Sequence, residues 1–143
     1  MANEHVLLVD DEVDFVEALS MRLKARGLGV EVAKDGYEAL EKARAQQFDA
    51  IILDLAMPGM DGVETLRGLR KIQSEIQVIF LTGHGTLETG VEAMKLGAMD
   101  FLEKPTDINL LIEKVRKAGL ITSAAREQKT QQMMEDIIKT KGW

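Results

Sequence analysis

Three aspartates, a threonine and a lysine stand out because of what precedes them. Asp10 and Asp11 directly follow the apolar run Val6-Leu7-Leu8-Val9, and Asp54 follows Ala50-Ile51-Ile52-Leu53. Thr82 ends the run that begins Val78-Ile79-Phe80-Leu81, and Lys104 comes just after the stretch from Met99 to Leu102. If these runs are neighbouring strands, the carboxylates gather at one end of a sheet. Anions brought together and desolvated take up a proton or enclose a cation. With no cysteine and no suitable histidine cluster, an all-oxygen ligand set favours Mg²⁺ or a similar hard ion. A hydroxyl and an ammonium at the same end suit a phosphoryl group formed on a carboxylate, whose oxygens they would meet. Taken singly, each residue has an ordinary reading. Asp10 or Asp11 could be a helix cap, Thr82 a strand end and Lys104 a surface lysine. It is the combination that points to chemistry.

The elements that must position these residues are legible as an alternation. Val6–Val9, Ala50–Leu53 and Val78–Leu81 are almost continuously apolar, as strands buried on both faces of a parallel sheet are. Val30–Ala33 and Met99–Leu102 are weaker and suit sheet edges. Helical patterns lie between them. Phe15, Val16, Leu19 and Leu23 form the first, with Gly27 at its C-cap. Asp35–Gln46 carries Ala39, Leu40 and Ala43, and Val63–Ile72 carries Leu66, Leu69 and Ile72. Thr86–Leu96 carries Leu87, Val91 and Met94, followed by Gly97. Thr106 or Asp107 caps the last pattern, which carries Leu111, Val115 and Ala118. Five such units predict an α/β, flavodoxin-like (βα)5 doubly wound parallel sheet. In the strand order 2-1-3-4-5, strands 1 and 3 meet at the switch point, and ligands bind beyond their carboxyl ends.

Composition narrows the classes. The 143 residues suit one domain with a full core, and 45% apolar with 29% charged residues describes a globular chain. The net charge of −6 and the lack of a basic cluster argue against direct nucleic-acid binding. The longest apolar run is too short to span a bilayer and no signal-peptide pattern opens the chain, so a cytoplasmic location is expected.

With those residues in view, the sequence resembles a bacterial two-component response-regulator receiver domain. The resemblance rests on Leu8-Val9-Asp10-Asp11-Glu12, on Leu53-Asp54-Leu55-Ala56-Met57-Pro58-Gly59-Met60-Asp61-Gly62, on Leu81-Thr82-Gly83 and on Asp100-Phe101-Leu102-Glu103-Lys104-Pro105. It covers residues 4–118, and leaves 119–143 as a C-terminal helical tail or a linker. The resemblance implies a phosphorelay. Asp54 would be the nucleophile that takes a phosphoryl group from a sensor histidine kinase or a phosphotransfer protein. Asp11, Asp54 and the backbone carbonyl of Ala56 would ligate Mg²⁺, with Asp10 acting mainly through a metal-bound water. Lys104 would meet the phosphoryl oxygens, while Thr82 moves toward them and Phe101 turns inward. This would remodel the face made by the fourth helix, fifth strand and fifth helix, which meets a partner or output domain. A receiver is a signalling domain that assists its own phosphorylation and dephosphorylation. A phosphorylation-dependent homodimer is a further expectation.

Several positions bear on how far the resemblance reaches. Ala56 is small and apolar where relatives often carry larger polar residues, and His84 also varies, so phosphoryl lifetime is not inherited. His84 reads either as a base or as a solvated loop histidine. Phe101 lacks the hydroxyl of the tyrosine that many relatives carry, so it offers no hydrogen bond when buried. Gly90 lies inside the fourth helical pattern, with Gly83 and Gly85 just before it, which marks that helix as the mobile element. Beyond Gly119 the chain turns polar, with Met133, Met134, Ile137 and Ile138 at helical spacing and Trp143 at the end. That stripe reads as a partner or dimer helix, or as an extension packed on its own domain or frayed. The chain reads as a single-domain regulator or as a receiver cut from a longer one. The rivals are weaker. Ala56 stands where a haloacid-dehalogenase-like phosphatase needs a second Asp, no Gly-x-x-x-x-Gly-Lys-Ser/Thr loop is present, and acids occupy a flavodoxin's phosphate site. A receiver-like interaction module that never takes phosphate is the alternative.

Overall fold

The structure is a computed structural model, and it describes residues 4–83 and 87–140, Leu87 through its backbone alone. The expectations placed on His84, Gly85, Thr86 and Trp143 lie outside the described residues. The chain alternates β1 (His5–Val9), α1 (Val13–Ala25), β2 (Gly29–Ala33), α2 (Gly36–Ala45), β3 (Ala50–Leu53), α3 (Gly62–Ile72), β4 (Val78–Thr82), α4 (Leu87–Lys95), β5 (Asp100–Glu103) and α5 (Ile108–Thr140). All five strands are parallel, in the order β2-β1-β3-β4-β5. The expected fold class and strand order are therefore observed.

Two-residue alternation along the strands divides the core into two layers. Leu7, Val9, Ile51, Leu53, Val78 and Phe80 face α2, α3 and α4 with Ala39, Ala43, Leu66, Leu69 and Ala93. Val6, Leu8, Ala50, Ile52, Ile79 and Leu81 face α1 and α5 with Val16, Leu19, Leu23, Leu111, Ile112, Val115 and Ala118. β3 and β4 are buried throughout and β1 beyond His5, whereas β2 and β5, at the edges, are only half-buried over most of their length. Asp35 and Asp61 cap α2 and α3, each accepting the N–H three residues on at 2.9 Å. Gly27 and Gly97 close α1 and α4 with φ of 90° and 94°, a conformation that glycine adopts without a Cβ penalty.

In α4, Val91 and Met94 are exposed, and among the described residues the fully buried one is Ala93. A small side chain lets α4 approach the sheet closely, so the larger apolar groups turn outward. The segment after Gly119 is the expected C-terminal helical extension: α5 continues unbroken for 33 residues. Thr122 is buried and donates to the Asp49 carbonyl at 2.8 Å, and Arg126 reaches the Phe48 carbonyl at 2.8 Å. Met133, Met134, Ile137 and Ile138 are exposed, which excludes packing of that stripe on the domain's own body.

Candidate functional site

The carboxyl ends of the strands hold the residues singled out above. Backbone bonds extend the ladder one residue past each strand. Asp10 N–H donates to Ala33 O at 3.1 Å, Asp54 N–H to Val9 O at 3.0 Å and Lys104 N–H to Thr82 O at 2.9 Å. Sheet pairing therefore fixes the backbones from which these three side chains project. Asp54 is 1% exposed, Asp10 3% and Thr82 0%.

The acids form a tight group, but not quite the expected one. Carboxylate oxygens of Asp10, Glu12 and Asp54 all lie within 4.8 Å of one another. Asp11 is exposed and stands outside this cluster. Asp10 points inward at the end of β1, and the chain then turns so that Glu12, at the N-cap of α1, reaches back over the site. The Glu12 N–H donates to Asp10 Oδ1 at 2.9 Å, which ties the turn to the acid it covers. Sequence reasoning missed Glu12 as a member of the cluster, although the Asp10-Asp11-Glu12 run contains it. Ala56 follows in the loop after β3, exposed, and Gly62 draws that loop close: its N–H donates to Leu55 O at 2.8 Å.

Lys104 is held on the Asp10 side. Its Nζ lies 2.7 Å from Asp10 Oδ2 and 3.0 Å from Glu12 Oε1, and 4.1 Å from the centroid of the Phe15 ring. Phe15 entered the sequence analysis only as part of a helical stripe. The Lys104–Pro105 peptide bond is cis. Burial would loosen the Lys104 proton, but the carboxylates of Asp10 and Glu12 outweigh it and raise the ammonium above the usual lysine range. Burial pushes the Asp10 carboxyl up, with the Asp54 charge adding to it and the Lys104 and Glu12 hydrogen bonds partly offsetting it. Asp54 Oδ1 is buried and has no hydrogen-bond partner among the described residues. An orphaned carboxylate oxygen amid acids fits a hard cation, which supplies the missing charge and coordination.

Phe101 sits half-buried in β5, its ring 6.5 Å from that of Phe80 and packed toward α4 at Gly90. A Cβ on Gly90 would stand 3.5 Å from the Phe101 ring, an ordinary contact. Phe101, Val91 and Met94 together line an open apolar groove between α4 and β5.

Comparison with known proteins agrees with this geometry. Residues 6–116 match the response regulator receiver domain family. The chain belongs to that family. Among curated relatives, the transcriptional regulatory protein FixJ of Bradyrhizobium diazoefficiens is 35% identical over 133 residues, 93% of this chain and 64% of the relative. The transcriptional regulatory protein ZraR of Escherichia coli K12 is 38% identical over 116 residues, 81% of this chain and 26% of the relative. The chain thus spans from about a quarter to just under two thirds of these relatives' length. A CheY-like response regulator receiver domain from Methanospirillum hungatei JF-1 superposes with a TM-score of 0.81 at 27% identity, covering 87% of this chain and 99% of that one. A receiver domain is a signalling domain, and membership accords with a role in phosphorelay signalling. No described helix is long and apolar enough to cross a membrane.

Proposed function

We propose that this receiver accepts a phosphoryl group onto Asp54 from a phosphohistidine on a sensor histidine kinase or a phosphotransfer protein. A carboxylate oxygen of Asp54 forms the new O–P bond as the N–P bond breaks, and the departing nitrogen keeps that electron pair. The observation that carries this reading is the Asp54 side chain itself: buried, with one oxygen unpartnered, beside two further acids and a lysine. Mg²⁺ is the cation that suits the set, and the proposed ligands are Asp10, Asp11, Asp54 and the Ala56 carbonyl. Bound there, it would neutralise charge on the transferring group. The exposed Asp11 side chain has the freedom to join, and Glu12 stands ready as a further oxygen donor. Lys104 and Thr82 would meet the phosphoryl oxygens, and Thr82 with Phe101 would carry the change to the face formed by α4, β5 and α5. Val91 and Met94, exposed beside Phe101, support that face as the place where a partner, an output domain or a second copy docks. The receiver unit is proposed as 4–118, with 119–143 as its helical extension.

The test is incubation with Mg²⁺ and acetyl phosphate, followed by intact-mass measurement. The native chain is expected to gain one phosphoryl group and Asp54→Ala none. Equal labelling of both would overturn the assignment. No labelling of the native chain by several donors would favour a receiver-like interaction module that never takes phosphate.

A further inference from the structure

Phe15 has no part in the chemistry set out so far, yet its ring meets the cation of the site. Glu12 and Phe15 are three residues apart at the start of α1, so they lie on one face of the same turn. Lys104 lies against both, with its side chain only 10% exposed. The structure assigns Phe15 a positioning role: it seats the Lys104 ammonium at the mouth of the acidic cluster, where an anion formed on Asp54 would meet it. The inference rests on the phosphoacceptor reading of Asp54.

The chemistry of lysine explains why a seat is needed. Its ammonium is a strongly hydrated point charge on a flexible four-carbon stem, and it settles where its three donors find partners. Asp10 supplies one partner, but Asp10 belongs to the acid cluster, and any cation or phosphoryl group placed there competes with that contact. The Phe15 ring makes no such competing claim. Its face attracts the ammonium and takes no carboxylate oxygen to do so. Glu12 closes the outer side at 3.0 Å. A desolvated ring contact of this kind gives about a 2- to 30-fold preference for the seated position. The plain alternative is that Phe15 only fills space against the α1–α5 layer, where it is a half-buried neighbour of the core. That alternative needs an apolar side chain at position 15 and is indifferent to aromaticity.

Two measurements on the full chain separate the readings. In NMR spectra of the native protein, the Lys104 ε-methylene protons are expected upfield, shifted by the ring current. Phe15→Tyr should keep the shift and Phe15→Leu should abolish it. In Mg²⁺ and acetyl phosphate, Phe15→Leu should lower the maximal labelling rate of Asp54 about 3- to 10-fold, the order expected for loss of a cation–π contact. The donor concentration for half-maximal rate should stay unchanged, and Phe15→Tyr should label at close to the native rate. If Phe15→Leu fails to fold, Phe15→Met replaces it. An unshifted methylene in the native chain would overturn the seat. So would equal rates in all the variants, or equal slowing by Tyr and Leu. A native chain that shows the shift but takes no label would instead overturn the phosphoacceptor reading.

Discussion

Arg126 reaches back across 78 residues of chain to donate from Nη2 to the Phe48 carbonyl at 2.8 Å. The same nitrogen meets Gln73 Oε1 at 2.9 Å, and Nε pairs with Glu75 Oε1 at 3.1 Å. Gln73 in turn donates to the Ala43 and Gln46 carbonyls at 2.8 Å each. One guanidinium thus fastens α5 to the loops that lead into β3 and β4. Arg126→Met keeps the aliphatic stem but orphans these acceptors, and should cost about 2 kcal/mol of stability. Chemical denaturation of both proteins measures this.

The cost should depend on pH. Burial raises the Glu75 carboxyl, but hydrogen bonds from Arg126 and Ser74 outweigh it and hold it below the usual 4.5. A depressed carboxylate stabilises the fold above its unfolded value and loses that contribution as pH falls through the folded value. The difference between native and Arg126→Met should therefore be full near pH 7 and shrink as the pH drops below 4.5. Denaturation midpoints measured from pH 7 to pH 3 test the sign, and a difference that grew with acid would contradict it.

Gly62 and Gly90 should respond oppositely to alanine. A Cβ on Gly62 would stand 2.6 Å from the Asp54 carbonyl oxygen and 2.7 Å from Leu55 Cα. Both are backbone atoms and neither can yield cheaply. Gly62→Ala should destabilise the fold by about 1–3 kcal/mol, as overpacking does. It should also slow labelling of Asp54, because the carbonyl it displaces belongs to that residue. Melting curves and intact-mass kinetics on the same preparation check both effects.

Gly90→Ala meets only the Phe101 ring at normal contact distance. It removes an interior helix glycine and should stabilise the protein by about 0.5–1 kcal/mol. If α4 is the mobile element, its amides should exchange more slowly in this variant, while those of α1 stay unchanged. Hydrogen exchange read by mass spectrometry resolves the two helices.

Most of the fold was legible because the signals were redundant. β1, β3 and β4 announced themselves as unbroken apolar runs, and β2 and β5 as weaker ones, so the sheet and its switch point followed. The placement of Asp10, Asp54 and Lys104 followed too, since they occupy ladder positions one residue past their strands. What the sequence did not reveal depended on shape. In the nine-residue α4 the small Ala93, rather than the larger Val91, is buried, and periodicity alone did not reveal this. Asp11 and Glu12 are both acids after one strand, and only the turn into α1 decides which reaches the cluster. The anchors of the helical extension after Gly119, Thr122 and Arg126, are hydrogen-bonding residues without an apolar period, so the sequence did not mark them.

The unbroken α5 has a mechanical consequence. Its anchors grip the edge of the sheet from which the strands start, and Asp54 stands at the opposite edge. Beyond Lys129 the helix continues free of the body to Thr140, roughly 15 Å of stiff rod. A rod clamped at its base turns any small tilt of that base into a larger sideways travel at its tip. The geometry that holds the helix still also gives it leverage.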